Sequence, residues 1–299
     1  MAQSRHVRRR SRWAEFRHAL RMFWRNLTRN KVGFIGTLMI VGFVFLAFIL
    51  PNFVDKETGA DITKIYEKPS REHPLGTDSQ GKDIWKQIVH GGADILTMAF
   101  LTGVIATFIG VTLGAVSAVV GGPLDAALTA LADIWLTIPR FPLLAVLAGL
   151  ITLDSVVMLA LILAVLSWAG LFRAIRAQVF SIKERDYIEA ARGLDLGLRH
   201  NIMSEIMPNM MAFIAINFTL AMTGAIYAQV GLVFLGLVPL TRNWGVMINL
   251  AWTQGAIFYK DSILFILAPL VCIALFQLAI VWMSRSLEEI FNPRLRAGR

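Results

Sequence analysis

Disulfide and thiolate-metal chemistry have almost nothing to work with in this sequence. Its 299 residues contain one cysteine, Cys272, set in an apolar run where it reads as packing. Histidine is scarce too. The five present are His6, His18, His73, His90 and His200, and none belongs to an H-E-x-x-H pair. No nucleophile stands beside a base and no carboxylates are paired in a way that survives placement along the chain, so a catalytic role is not expected. Charge is also short. Only 16% of residues are Asp, Glu, Lys or Arg against 56% hydrophobic, and the mean hydropathy is +0.62, a balance that excludes an ordinary water-soluble domain. No short apolar core followed by a small-residue cleavage site opens the chain, so the first apolar segment is expected to be retained.

What the sequence has in abundance is long apolar runs. Six are expected to cross a bilayer: Gly33 to Leu50, Ile95 to Val120, Leu124 to Leu153, Ser155 to Phe172, Met210 to Leu237 and Ser262 to Met283. A net charge of +9 is also the mark of nucleic-acid binders, but here ten basic residues fall within the first 31 positions against one acid, Glu15. That asymmetry reads as orientation and contact with lipid, and places both termini in the cytoplasm. Residues 1–31 form one unit, a basic tail followed by an amphipathic helix in which Trp13, Phe16, Leu20, Phe23, Trp24 and Leu27 recur at helical spacing. Residues 32–299 form the six-span unit. Within it, residues 51–92 are expected to be an external loop, where seven acids outnumber six bases. Residues 173–208 are expected to be a cytoplasmic loop, rich in Arg and Lys. Trp244, Trp252 and Tyr259 are expected at the outer membrane interface.

The external loop contains Gly76-Thr-Asp-Ser-Gln-Gly81-Lys82, most of a phosphate-binding loop pattern. The following residue is Asp83 instead of Ser or Thr, no buried strand precedes it, and it lies on the side without ATP, so a nucleotide site is rejected. Within the spans, Asp133 is conspicuous because a mid-span charge costs about 2.5–3.5 kcal/mol. Pro139 and Pro142 follow it and are expected to break the helix. Asp133 either faces a translocation path, or stabilises the broken helix against a partner subunit, or pairs with a neighbouring span. The polar Asn217, Thr219, Thr223 and Gln229 of the fifth span suit a helix packed in the protein interior; Asn217, Thr223 and Gln229 join Asp133 as candidates for the path. Met203, Met207, Met210 and Met211 read as packing.

Between the fourth and fifth spans lies a polar island with Tyr187, Glu189, Ala190, Ala191, Arg192 and Gly193, closed by Pro208. Residues from Asp186 to Ile202 favour helix, and the small side chains would admit a partner's backbone at close range. These residues resemble the Glu-Ala-Ala loop of the membrane subunits of ABC importers, in which a Pro stands 19 positions beyond the Glu, as Pro208 does beyond Glu189. The chain departs from that pattern at Asp195, Glu205 and Met207, where Gly, Ile and Leu are usual. A second segment, His73-Pro-Leu-Gly-Thr-Asp-Ser-Gln-Gly-Lys-Asp83, resembles the external motif of the oligopeptide, dipeptide and nickel branch. Ser167-Trp168 with Arg173, Phe234-Leu-Gly-Leu237, Asn243-Trp-Gly245 and Ser286-Leu-Glu-Glu-Ile-Phe-Asn-Pro293 look like the same branch, in its second permease type.

The resemblance implies an all-α integral membrane protein: six transmembrane helices of the type I ABC importer fold behind an N-terminal amphipathic helix, in the inner (cytoplasmic) membrane. It further implies a homologous permease partner, two ABC ATPase subunits docking on Tyr187, Glu189, Ala190, Ala191, Arg192, Gly193 and Pro208, and an external substrate-binding protein. ATP and Mg would be bound by the ATPases, with no cofactor held by this chain and no nucleic acid partner. The substrate would be a peptide or related small solute. An ion-coupled secondary transporter is the rival reading, since Asp133 and Pro139 would suit a midplane ion site; a membrane-embedded enzyme is the second rival.

Overall fold

In a hydrocarbon medium every backbone N–H and C=O must be paired within the protein, so runs of apolar residues this long can only be helices or a closed barrel. The computed structural model describes residues 30–56, 59–151, 153–184, 197, 200–239 and 243–291. Among them there are helices, turns and one isolated bridge, with no strand. The described residues form eight α-helices: α1 (Lys31–Val44), α2 (Ile84–Val120), α3 (Gly122–Thr137), α4 (Arg140–Leu150), α5 (Val156–Lys183), α6 (Met207–Phe234), α7 (Trp244–Thr253) and α8 (Ile263–Phe291). Among the described residues, five helical stretches are long and apolar enough to cross a membrane singly. The pair α3 and α4, bent by 78° at the break between them, makes a sixth if counted as one span. The amphipathic stretch expected before Asn30 lies outside the described residues.

The helices pack through small residues. A Cβ added at Gly110 of α2 would stand 2.6 Å from Leu171 Cγ, and one at Gly114 would stand 2.9 Å from the Phe172 carbonyl oxygen, so α2 and α5 meet almost backbone to backbone. Thr102 on the same face of α2 donates to the Ala160 carbonyl of α5 at 3.3 Å. The outward faces of α1 and α8 stay apolar and exposed, for example Leu38, Val41, Val271 and Val281, a surface suited to lipid.

Several boundaries differ from the expected ones, each for a physical reason. α2 begins at Ile84, inside the stretch expected to be external loop, because Asp83 accepts from Lys86 N at 3.1 Å and caps the helix there. α5 continues past Phe172 to Lys183, because Ile175, Val179 and Ile182 recur on one buried face. The chain resumes helix at Asn201 with a π-helical segment, Asn201–Ile206, that runs into α6. Pro208 therefore does not close the island: it falls within a continuous helical run, as the second residue of α6 just after the π-helical segment. Trp244 does not face lipid or solvent as an interfacial anchor would. It is fully buried, and its indole N–H donates to the Ile88 carbonyl at 2.9 Å. Trp252 and Tyr259 are exposed.

The segment between α1 and α2 is closed by its own polar residues. The Asp78 carboxylate accepts from Gln80 N at 2.7 Å, Lys82 N at 2.9 Å and Gln87 Nε2 at 2.8 Å. The Thr77 hydroxyl donates to the Lys64 carbonyl and accepts from Glu67 N. Asp83 lies 2.9 Å from His73 Nδ1 while it caps α2. Asp61, at the far edge of the clasp, is held below the usual carboxylate range by the hydroxyl and amide of Thr63. The residues that looked like part of a phosphate loop thus spend their donors and acceptors on one another.

Gly81 has φ +74, and a Cβ there would collide with the Asp61 carbonyl. Gly81→Val should cost on the order of 1–2 kcal/mol for the left-handed backbone alone, with the collision added. Limited trypsinolysis is expected to cut faster at Lys64, Lys68 and Arg71 in that variant. Gly42→Ala, where a Cβ meets nothing within 4 Å, should digest like the wild type.

Candidate functional site

Two places gather polar chemistry in the helical body. The first is the basic end, where α2 stops, α3 starts and α5 runs out. Asp125 stands in the first turn of α3, where a carboxylate is favoured by the helix dipole. It receives Arg176 of α5 through two bonds, from Nε and Nη2, each 2.5 Å, and Ser117 of α2 donates to it at 2.5 Å. This two-pronged geometry is the strong form of an Arg–carboxylate pair. Close by, Lys183 Nζ donates to the Ala118 carbonyl at 3.0 Å and stands 3.6 Å from the Phe180 ring centre, with Arg176 at 4.6 Å from the same ring. Beneath this clamp a single apolar cluster joins Val111, Ala115 and Ala118 of α2, Ile175, Val179 and Ile182 of α5, and Ile206 and Met210 beside the start of α6.

That cluster seats both flanks of the polar island. Tyr187, Glu189, Ala190, Ala191, Arg192 and Gly193 themselves lie outside the described residues. Pro208 is placed as the second residue of α6. Met203, Met207 and Met211 line an apolar groove of about 720 Å³ between α2 and α6, while Met210 is buried in the cluster.

The second place is the break between α3 and α4. Ile138 is extended, at φ −79 and ψ 121, as a residue preceding proline prefers, and Pro139 forms the N-terminal boundary of α4. Pro142 falls in the first turn of α4 and does not interrupt it. Asp133, one turn before the break, is paired with Arg173 of α5 at 3.3 Å. Both side chains are more than half exposed, at 54% and 58%, so this pair adds little stability.

Beyond the break, α4, α5 and α6 enclose an open cleft of about 450 Å³. Asn217 lines it, one of its amide hydrogens donated to the Phe213 carbonyl at 2.8 Å. The other path candidates do not line it. Asp133 lies on α3 with Arg173, Thr223 is half-buried on α6, and Gln229 is fully buried with neither amide atom hydrogen-bonded. Thr219 bonds across helices to Ser284 Oγ at 3.0 Å. The structure adds residues to which the sequence reading gave no part in a site: Asp125 and Ser117 at the clamp, and Arg140, Ser167 and Gly170 at the cleft. An acid just after a Gly-Gly-Pro turn was the available sign for Asp125. Its partner is 51 residues away, beyond the reach of local pattern.

Known proteins match most of this chain. The family described as the binding-protein-dependent transport system inner membrane component matches residues 110–297. A protein of Brucella suis named as a peptide permease is 31% identical over 270 residues, covering 89% of this chain and 88% of its own. From Bacillus subtilis, an oligopeptide transport system permease protein is 28% identical over 274 residues, covering 89% of this chain and 87% of its own. A dipeptide transport system permease protein of the same organism is 27% identical over 278 residues, with 91% and 85% covered.

Removing one partner of the clamp leaves the other unpaired. Asp125→Ala or Arg176→Ala should each destabilise the basic end by about 1–3 kcal/mol, and the double variant by less than the sum. Thermal melting followed by fluorescence-detected size exclusion checks this. The swap Asp125→Arg with Arg176→Asp should recover only part of the loss, because it sets a cation at the start of α3.

Proposed function

The chain belongs to the family of binding-protein-dependent transport system inner membrane components, and from that premise we propose that it is the peptide-importing permease half of an ATP-driven complex. In this reading it forms the translocation path with a homologous permease, receives substrate from an external binding protein, and couples to two cytoplasmic ATPases that hold the ATP and Mg. Peptides are the substrate class carried by the named function of its relatives. Docking falls to Tyr187, Glu189, Ala190, Ala191, Arg192 and Gly193, with Pro208 setting the exit into α6.

The observation that supports this most is the seating of the island. A docking loop that is to move helices must be joined to them stiffly, and the flanks of residues 185–199 rest on one cluster shared by α2, α5 and α6. The Asp125–Arg176 clamp ties α3 to the same place. Force applied by a nucleotide-driven partner would then reach four helices together, which is what switching between two rigid-body states requires. Coupling also requires that the partner bind the two states unequally. For the rival ion-coupled transporter, Asp133 was the natural carboxylate, and it is engaged by Arg173. Uptake by the reconstituted complex should follow ATP and ignore an imposed ion gradient.

The same reading fixes the orientation: the clasp outside, the basic end and both termini inside. In a Cys272→Ala background, Arg71→Cys should react with a membrane-impermeant thiol reagent added outside, and Ser181→Cys only after the membrane is opened. Reaction of both from one side rules the topology out.

Small side chains at Ala190 and Ala191 admit a partner groove at short range. Ala191→Trp should cost about 1–3 kcal/mol of docking by overpacking, a weakening of roughly 5- to 150-fold. The spans should remain inserted while the ATPases cease to co-purify and substrate-stimulated ATP hydrolysis falls. Wild-type co-purification and hydrolysis in that variant would remove the island from the docking role.

A further inference from the structure

The cleft between α4, α5 and α6 carries one formal charge among its lining residues, the guanidinium of Arg140, and no acid. Arg140 is the first residue of α4, so its positive charge lies at the end of the helix where the backbone dipole is also positive. Among the described residues it has no ion pair and no side-chain hydrogen bond. The acid closest to it in sequence on the preceding helix, Asp133, is taken by Arg173.

Its side chain reaches across to α5, where a Cβ added at Gly170 would stand 3.2 Å from Nη2. Glycine at that position leaves the guanidinium room to lie against the helix. Among the described residues, the hydroxyl of Ser167, one turn earlier on α5, has no hydrogen-bond partner and the Asn217 carbonyl oxygen faces no donor. Ser167 and Asn217 both stand well inside 28-residue helices, which places the cleft along the apolar length of these helices, away from their ends. A cation kept at such a place without a partner is costly, and the residues that persist there serve the transported species or its path.

We propose that Arg140, with the Ser167 hydroxyl, is a transient binding site for a carboxylate of the transported solute, the C-terminal carboxylate where that solute is a peptide. The Asn217 carbonyl oxygen then accepts an N–H from the same solute. A volume of about 450 Å³ falls in the range of small-ligand sites, and an Arg–carboxylate bond is strong yet reversible. This inference rests on the reading of the chain as a peptide importer's permease.

The test uses the intact importer, with its ATPases and binding protein, in proteoliposomes supplied with Ala-Ala-Ala or its C-terminal amide. Arg140→Gln should slow uptake of the free acid by about tenfold or more and leave the amide within about twofold. Arg140→Lys should fall between. Any preference of the binding protein for the acid is the same for both permeases and cancels in the comparison. A second measurement bypasses that protein: with Ser167→Cys in a Cys272→Ala background, Ala-Ala-Ala should slow labelling by an uncharged thiol reagent when Arg140 is present and not when it is Gln, while the amide slows neither. Equal loss of acid and amide uptake, unchanged uptake of both, or protection independent of Arg140 overturns this inference and leaves the importer reading standing. ATP-dependent uptake of neither peptide by the wild-type complex overturns both.

Discussion

Everything in the bundle is referred to the near contact of α2 and α5. Two helices surrounded by lipid gain little from burying apolar surface, because the surroundings are equally apolar, so close packing must supply the attraction. Gly110 and Gly114 let the backbones approach, and the Thr102 hydroxyl finds the Ala160 carbonyl across the seam. α6 then lies against α2 and α5 at the basic end, α7 lies over α2 through Trp244, and the broken pair α3 and α4 lies along α5 and α6. A side chain larger than hydrogen at Gly110 would push these elements apart together.

The broken span shows how polarity is tolerated in such a setting. Ile138 and Pro139 leave the helical ladder, and the chain turns by 78°. Irregular backbone at membrane depth is acceptable only where it lines a cavity or is buried in protein, and here the cleft adjoins the break. Asp133 and Arg173 balance one another on its basic side, while Arg140 has no acid beside it among the described residues. Two arginines close in space thus play different parts because only one of them has an acid within reach.

Much of this architecture was legible in the sequence because hydrophobic length is a local property. The six apolar runs, the break at Pro139 and the turn at Gly121 and Gly122 follow from composition and from the geometry of proline and glycine. Helix ends were less legible. α2 starts early because a capping carboxylate at Asp83 outweighs the polar character of the residues after it, and α5 runs on because three isoleucine and valine side chains face a core that the sequence alone does not reveal. Trp244 looked like an interfacial aromatic, yet its N–H is satisfied by the Ile88 carbonyl 156 positions away. Asn217 was visible in the sequence as a polar residue of the fifth span, but the cleft it lines is completed by Arg140 and Ser167, which come from two other helices.

The length of α2 has a mechanical consequence. Its 37 residues run unbroken from the Asp83 cap, where the polar clasp is knotted, to Val120, two residues past Ala118, whose carbonyl is held by Lys183. At 1.5 Å per residue that is a strut of about 55 Å, and a tilt of about 5° around its middle swings each end through roughly 2–3 Å in opposite directions. Because the clasp is bonded within itself and onto the first turns of the strut, it is carried by that swing as a solid cap. The clasp and the basic end therefore belong to one rigid element, so that any tilt of the helix displaces both together.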